Sequence, residues 1–345
     1  MKVLHTGDIH LREHNDERWE ALGEIGKLIR DAGVDVVVIA GDLFDSEDSA
    51  NVLYPRLRGV FEGWGIPVLI LPGNHDAGFY SEKIDMGENV KVFHDIEGVD
   101  IEGTKFIGLP YRDVSCKEAF DLLMRAVSLK GEGVNILIYH GELAGWWSKG
   151  DWGDEQGSMP LELSFFRGLG IDYVLAGHFH SRYSVKPLPD GGFFVYPGSP
   201  VSVSVKEEGE RGVNLFEVGK EPSFYVLPTF HYRKVEVRLG GGDVHPLDVI
   251  KSAISDVPPY CCCRLYLSGW IDGARWQMDE KTLFEEIRGL GVEIVENSVR
   301  DIRTLREGGI FAKVVKKLKE RGVEESRLGE MAEILLSAII RGEKR

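Results

Sequence analysis

Residues 34–45 read VDVVVIAGDLFD, an apolar β-branched run that ends at Gly41-Asp42. A run of this kind is typical of a strand that is buried on both faces, as in a parallel sheet. Such runs alternate with amphipathic helical patterns, which predicts an α/β fold for residues 1–230. Further runs lie at 66–71, 134–139 and 171–176, and the helical patterns lie at 16–32, 48–63, 115–129 and 160–168.

Side chains that can bind metals follow five of the predicted strands, at the point where each strand ends. Because ligands in open α/β sheets collect beyond the carboxyl ends of the strands, these side chains should meet at one rim. Five of the ten histidines of the chain are among them. In the order of the strands, the residues are Asp8 and His10, then Asp42, then Asn74, His75 and Asp76, then His140, and finally His178 and His180.

The types of side chain at this rim indicate its chemistry. Carboxylate, imidazole and amide groups without thiolates suit Mn²⁺, iron or Zn²⁺. One aspartate can bridge two ions that lie about 4 Å apart, and such a pair activates a water and holds the oxygens of a phosphoryl group. Hydrolysis of a phosphoester requires both effects.

Composition and charge narrow the class of protein. Of the 345 residues, 43% are hydrophobic and 28% are charged, which excludes a disordered protein. The formal net charge of −15 argues against a protein that coats nucleic acid non-specifically. Residues 300–345 differ from the remainder, since they hold 12 basic and 8 acidic side chains. A nucleic-acid enzyme agrees with this charge if metal ions supply positive charge locally.

The sequence also predicts a cellular location. No apolar run approaches the roughly 18 residues that cross a bilayer, so we expect no membrane partner, and we expect no signal peptide. The chain has four cysteines, three of them consecutive at 261–263, too few and too badly placed for a disulfide framework. We therefore expect a cytoplasmic protein.

The pattern changes beyond residue 230. We expect a small α/β capping domain at 231–305 and a helical tail at 306–345. In the tail, apolar residues at helical spacing form two stripes, and the first tail helix also carries several lysines. The predicted elements are helices at 245–255 and 279–289, strands at 261–268 and 292–299, and tail helices at 309–321 and 325–341.

Five short motifs resemble the signature of the calcineurin-type metallophosphoesterase superfamily. Within it, the chain is similar to the SbcD-type DNA repair nucleases, whose eukaryotic counterpart acts in double-strand-break repair. The resemblance implies a four-layer α/β/β/α metallophosphoesterase sandwich in residues 1–230. The motifs are D-x-H at 8–10, G-D at 41–42, G-N-H-D at 73–76, the lone His140 and G-H-x-H at 177–180; the closer likeness rests on HTGDIHL at 5–11, GDLFD at 41–45, GHFHSRY at 177–183 and VYPGSP at 195–200.

The resemblance also implies a cofactor and a role for each residue. The cofactor is two divalent metal ions, Mn²⁺ in the nuclease branch, with Asp42 as the bridge. His75 is no ligand in the family pattern; it faces the scissile phosphate and protonates the leaving oxygen. Asp45 stands where the family has a side chain that orients this histidine; a cap for the helix at 48–63 is the other role for it, alone or together with the first. One ion would be held by Asp8, His10, Asp42 and His180, and the other by Asp42, Asn74, His140 and His178.

Two features N-terminal to His140 depart from the family pattern. Arg12 stands where the family has a glycine after D-x-H-L. Residues 77–88 should supply a helix to the family's homodimer, but here the segment is short and interrupted by Gly78 and Gly87. The sequence therefore argues against a homodimer of that kind.

A third departure lies in the loop after His140, which carries three tryptophans. Trp146 and Trp147, with Trp152, could stack on unpaired bases, or they could pack together under the loop. Trp146, Trp147 and the motif residue Arg182 are the candidate substrate-binding residues.

These observations lead to one hypothesis and two alternatives. The hypothesis is a Mn²⁺-dependent DNA exonuclease or endonuclease that acts on DNA ends or single-stranded DNA in break repair. It would work with an SMC-like ATPase of the SbcC type, bound through the C-terminal helices. The acidic surface supports a small-molecule or protein phosphatase of the same superfamily as the first alternative. The second is a scaffold or regulatory subunit with a vestigial site, which the intact ligand set disfavours.

Overall fold

The computed structural model describes residues 1–14, 16–81, 84–145, 158–240, 244–303 and 309–323, followed by residues 327, 331, 332, 334, 335 and 338. The chain divides into two compact units, Met1–His231 and Tyr232–Arg345. In the first unit the helices are α1 (Glu17–Ala32), α2 (Glu47–Trp64) and α3 (Cys116–Val127), with short 3₁₀-helices at Phe79–Ser81 and Leu163–Phe166. Its strands are β1 (Lys2–Thr6), β2 (Val36–Ala40), β3 (Val68–Leu71), β4 (Val90–Val92), β5 (Glu97–Ile101), β6 (Thr104–Leu109), β7 (Val134–His140), β8 (Tyr173–Gly177), β9 (Ser184–Pro187), β10 (Phe193–Tyr196), β11 (Gly212–Glu217) and β12 (Ser223–Val226).

The strands of the first unit form two six-stranded sheets. The first has the order β12-β11-β1-β2-β3-β4, with β1 to β4 parallel and β11 antiparallel to β1. The second has the order β5-β6-β7-β8-β10-β9, in which β6, β7, β8 and β10 are parallel. Because Thr6 lies opposite Ile39, and Ala40 opposite Leu71, the loops after β1, β2 and β3 leave at one edge.

Strand β2 shows how the layers are built. Its residues alternate between two cores, since successive side chains of a strand point to opposite faces. Val36 and Val38 lie in the core between the two sheets, whereas Val37 and Ile39 lie in the core that α1 and α2 cover. A third core packs α3 against the second sheet. This order of helices, sheet, sheet and helices confirms the predicted four-layer sandwich.

The start of α2 corrects one interpretation of Asp45. The N-cap residue is Ser46, whose hydroxyl accepts a hydrogen bond from the amide of Ser49 at 3.2 Å. Serine is among the best N-cap residues, because its short side chain reaches the amides of the first turn. The alternative that Asp45 caps this helix is therefore wrong.

Two further elements differ from the expectation. The predicted helix at 160–168 is only the 3₁₀-helix Leu163–Phe166, and Gly168 follows with a φ of 73° that a continuing helix cannot accommodate. The hairpin β5–β6 was not anticipated. Its two-residue turn, Glu102-Gly103, has φ values of 51° and 78°, a geometry that usually shows as Asn-Gly or Asp-Gly.

The segment that should supply the family's dimer helix is irregular. Of residues 77–81 and 84–88, which the structure describes, only Phe79–Ser81 form a short 3₁₀-helix. A β-carbon at Gly78 would overlap the carboxylate of Glu47, so the chain passes close to the start of α2 here. The described part of this segment offers no second helix for such a bundle.

The second unit is a small α/β structure with the sheet order β13-β14-β15. Strands β14 and β15 are parallel, and α6 connects them while packing with α4 on one face of the sheet. These elements agree with the predicted ones to within a few residues. The strands are β13 (His231–Gly240), β14 (Cys261–Ile271) and β15 (Glu293–Asp301), and the helices are α4 (Pro246–Ala253), α5 (Gly273–Trp276), α6 (Glu280–Arg288) and α7 (Gly309–Glu320).

The tail begins with α7, which packs within the second unit. Phe311 is 8% exposed and shares a cluster with Trp270 and Ile302, against which Val315 and Leu335 also pack. The predicted helix at 325–341 lies largely outside the described residues. Among the described residues, no helix combines the length and the apolar composition that crossing a bilayer demands.

Candidate metal centre

The loops after β1 and β2 run side by side and place the first three candidate ligands. The amide of Asp8 donates to the carbonyl of Gly41 at 3.1 Å, and the amide of His10 donates to the carbonyl of Asp42 at 3.0 Å. Asp8, His10 and Asp42 are buried. The two loops therefore hold each other in register, as neighbouring strands do, and bring the three side chains to one point.

Four candidate ligands have a positive φ, namely Asp8 (52°), His10 (52°), Asp42 (47°) and His178 (94°). Only three other non-glycine residues in the described part of the chain share this feature. Each such residue costs about 1–3 kcal/mol, so the surrounding contacts must hold it. The amide of His178 donates to both oxygens of Asp8, at 2.9 and 3.0 Å, which is one such contact.

Two glycines are required by close approach at the rim. A β-carbon at Gly41, where φ is 93°, would overlap the ring of His140. A β-carbon at Gly73 would overlap the carboxylate of Asp42. Packing thus explains why glycine comes directly before Asp42 and Asn74 in the sequence.

Asp8, His10, Asp42 and His180 form the first group of candidate ligands. They offer ligand atoms that all lie within 4.8 Å of one another. The Nε2 atoms of His10 and His180 are 3.2 Å apart, and Nε2 of His180 lies 3.7 Å from Oδ1 of Asp8. These are the four residues expected to share one ion.

Asn74, His140 and His178 form a second group around the same aspartate. Oδ1 of Asn74 lies 2.9 Å from Nε2 of His140 and 3.2 Å from Nδ1 of His178. Nδ1 of His140 lies 2.8 Å from the carbonyl of Ala40 and donates to it, so Nε2 of the neutral ring presents a lone pair. Acceptor atoms converge here, as they do around a bound cation.

The carboxylate of Asp42 lies between the two groups. Its Oδ1 accepts a hydrogen bond from the amide of His75 at 3.0 Å. Its Oδ2 is buried 3.8 Å from Nε2 of His10 and 3.3 Å from Nε2 of His140, yet no described residue donates to it in hydrogen-bond geometry. A buried oxygen of this kind is costly unless something else satisfies it. The donor set and this oxygen fit divalent metal ions.

The buried charged groups of the site shift one another's pKa values. Burial raises the pKa of Asp8 to about 6, although His180 and His140 oppose the shift. Burial would also raise the pKa of Asp42, but His140, His10 and His75 outweigh it and hold the pKa far below its usual range. Burial disfavours the imidazolium of His140, yet Asp42 and Asp8 raise its pKa to about 10.

His75 stands beside the first group. Its ring makes an edge-to-face contact with His10, with the centroids 4.8 Å apart, and its Nδ1 lies 3.2 Å from the main-chain oxygen of Asp45. The carboxylate of Asp45 pairs with Arg12, at 3.0 Å between Oδ2 and Nε, and lies 3.8 Å from Nδ1 of His10. Asp45 thus contacts His75 through its main-chain carbonyl. Its carboxylate forms an ion pair with Arg12, the residue that departs from the family pattern.

The rim contains residues whose role the sequence did not suggest. Asp76 is buried, and its two oxygens accept hydrogen bonds from the amides of Gly73 (2.9 Å) and Phe44 (3.2 Å), which tie the loops after β2 and β3 together. Burial, followed by the charge of Asp42, raises the pKa of Asp76 to about 7. The G-N-H-D motif could have pointed to Asp76 from the sequence. Glu207, whose carboxylate lies beside His180, stands in a turn-rich segment that contains no such motif.

The candidate substrate-binding residues are less well defined. Arg182 lies two residues after His180 with an exposed side chain. Trp146 and Trp147 fall outside the described residues. Tyr111, which the sequence did not single out, has its ring 6.2 Å from that of His140.

A two-sheet α/β sandwich with these side chains at one rim defines a metal-dependent phosphoesterase. The family model for calcineurin-like phosphoesterases matches residues 1–182, and the chain belongs to this family. This confirms the superfamily indicated by the five motifs, and members of the family bind divalent metals.

Two curated relatives agree with the closer resemblance. The chain is 25% identical over 260 residues to the D subunit of the SbcCD nuclease of Staphylococcus epidermidis, covering 63% of this chain and 66% of that protein. It is 24% identical over 365 residues to the DNA double-strand break repair protein Mre11 of Methanosarcina acetivorans, covering 98% of this chain and 53% of that protein. The chain thus spans between half and two thirds of the length of these relatives.

Two solved structures that match the chain are more distant in sequence. A Thermus thermophilus protein is 18% identical with a TM-score of 0.47, covering 65% of this chain and 98% of its own. A dimetal phosphatase from Danio rerio is 11% identical with a TM-score of 0.47, covering 66% and 96%.

Proposed function

We propose that this chain is a Mn²⁺-dependent DNA nuclease of the SbcD type that uses two metal ions. The observation that carries the proposal is Oδ2 of Asp42, a buried oxygen that faces His10 on one side and His140 on the other. The family supports phosphoester hydrolysis, and the names of the two curated relatives favour DNA as the substrate.

The proposed roles follow the two groups of ligands. Two ions held there would activate a water and neutralise the charge of the scissile phosphate. His75 holds the proton that goes to the leaving oxygen: in the charged ring Nδ1 donates to the carbonyl of Asp45, and Nε2 carries the transferable proton. Arg182 and the tryptophans at 146 and 147 would contact the DNA. Asp8, His10, Asp42 and His180 would hold one ion, and Asp42, Asn74, His140 and His178 the other.

One assay tests the proposal against its alternatives. The full chain, loaded with Mn²⁺, is offered blunt-ended duplex DNA, single-stranded DNA and p-nitrophenyl phosphate, with a chelated sample as the control. The proposal expects Mn²⁺-dependent cleavage of DNA. Hydrolysis of the phosphate monoester alone would instead identify a phosphatase. Bound metal without hydrolysis of any of the three would identify a scaffold with a vestigial site.

We also propose that the C-terminal helices bind an SbcC-type ATPase. Phe311 anchors α7 within the second unit, which leaves Lys313, Lys316 and Lys317 exposed. Further along, Met331 is 41% exposed and Ile334 is 69% exposed. An exposed apolar pair that follows a basic helix in the sequence, on an otherwise acidic chain, suits an amphipathic partner with negative charge.

A further inference from the structure

The two ring nitrogens of His180 have different surroundings. Nε2 faces the first group of ligands, 3.2 Å from Nε2 of His10 and 3.7 Å from Oδ1 of Asp8. Nδ1 faces away from them and lies 3.3 Å from Oε1 of Glu207. Glu207 stands beyond residue 182, where the match to the family model ends.

Glu207 is itself held in place by its own segment. Its side chain is 7% exposed, and its Oε2 accepts a hydrogen bond from the amide of Val203 at 2.9 Å. Its main-chain oxygen accepts a hydrogen bond from the hydroxyl of Ser202 at 2.6 Å. The carboxylate therefore keeps its orientation whether or not the histidine is present.

The same segment also holds the backbone of the histidine. Arg211 is buried, and its Nη1 donates to the carbonyls of His180 and Ser181, both at 2.8 Å. The amide of Ser199 donates to the carbonyl of His180 at 3.1 Å. Residues 199–211 thus hold His180 through its ring and through its main chain.

We infer that Glu207 is a positioning residue for the metal ion of the first group, an inference that rests on the proposed function. Its carboxylate accepts a hydrogen bond from Nδ1–H of His180, which fixes the tautomer and leaves the Nε2 lone pair for the cation. A carboxylate behind a metal-binding histidine also makes the ring a better electron donor.

The second group of ligands provides an internal comparison. There, Nδ1 of His140 donates to the neutral carbonyl of Ala40 rather than to a carboxylate. Loss of the charge at Glu207 should therefore weaken the binding of the ion in the first group more than that of the ion in the second group. Removal of a partner of this kind typically lowers metal affinity about 10- to 100-fold.

The test is Glu207→Gln in the full chain, whose amide oxygen can still accept from Val203. Metal-free protein is titrated with Mn²⁺ while free Mn²⁺ is measured by electron paramagnetic resonance. We expect two ions in the unaltered protein, and in the variant one of them bound about 10- to 100-fold more weakly. In an Asn74→Ala background, which removes a ligand of the second group alone, the same loss should remain. Glu210→Gln, an exposed carboxylate in the same segment, should change neither ion.

Two results would overturn the inference. Unchanged affinity for both ions in folded Glu207→Gln would remove Glu207 from the site and leave the proposed function standing. No Mn²⁺ bound by the unaltered protein would overturn both. Because the variant could fail to fold, a second measurement uses the unaltered protein with Zn²⁺ and ¹⁵N-labelled histidine. An Nδ1–H resonance that is absent from His180→Gln is expected; a His180 ring protonated at Nε2 would contradict the inference.

Discussion

Asp42 has one oxygen, Oδ2, within 3.8 Å of His10 and within 3.3 Å of His140, so its loss should affect both groups of ligands. We expect Asp42→Ala protein to bind neither metal ion, because each group loses a negatively charged ligand. Mass spectrometry of metals in the dialysed protein measures this. Asp45→Ala, which removes a nearby carboxylate outside both groups, should keep two ions. Two ions in Asp42→Ala would disprove the bridging role.

For His75 we expect the opposite result, namely that its replacement leaves metal binding intact. Because the ring lies beside His10 but belongs to neither group, His75→Ser should keep both metal ions and the affinity for DNA. DNA hydrolysis should fall about 10²- to 10⁴-fold, the usual contribution of a general acid. Single-turnover cleavage rates at saturating Mn²⁺ measure the change. An unchanged rate would exclude the acid role, and loss of metal would make His75 a ligand.

His5 on β1 should make stability depend on pH. Burial lowers its pKa to about 3, whereas an unfolded histidine takes up a proton near pH 6.5. Between these values the unfolded chain binds the additional proton, so stability falls as the pH is lowered. In His5→Gln, this dependence should be shallower by about 1.4 kcal/mol per pH unit well below pH 6.5. Urea unfolding from pH 6.5 to 4.5 gives both slopes, and equal slopes would show that His5 is protonated in the folded chain.

Among the elements, the C-terminal helices carry the clearest prediction about a partner. Met331→Asp combined with Ile334→Asp should abolish co-purification with the ATPase, because two exposed apolar contacts become charged. The buried Phe311 is unaltered, so the unit should stay folded and Mn²⁺-dependent cleavage of short DNA should persist. Met124→Asp, at a residue 42% exposed on α3, is the matched control. Retained co-purification of the double variant would assign the partner to another surface.

Local patterns determined most of the elements and most of the rim. Runs such as 34–40 are buried on both faces, and the residues just after them must lie at the sheet edge, so the positions of Asp42 and His140 follow from the sequence. The hairpin at 97–109 was not predictable from the sequence, because Glu102-Gly103 is an unusual pair of turn residues. The contacts of Glu207 and Arg211 were not predictable for another reason. Their partner, His180, is about thirty residues away in the sequence, and only tertiary folding makes the contact.

For the whole molecule, net charge sets a condition on DNA binding. A chain with a formal charge of −15 repels a phosphate backbone unless cations intervene. We expect protein that a chelator has freed of metal to bind DNA weakly. Mn²⁺ should restore DNA binding in His75→Ser, a variant that cannot complete the reaction. Fluorescence anisotropy with a labelled duplex at fixed salt measures the difference. Equal affinity with and without Mn²⁺ would show that a basic surface, rather than the metal centre, attracts the DNA.

The positive φ values at Asp8, His10, Asp42 and His178 also bear on how this sequence can change. Glycine adopts such a backbone at little cost, whereas an aspartate or histidine does so only under constraint. In the absence of metal, a glycine at any of the four positions should therefore relieve backbone strain while it abolishes a ligand. A lineage selected for folding alone would drift towards glycine there. The four ligand side chains proposed here would therefore persist only under selection for metal binding, and a strained backbone would accompany it.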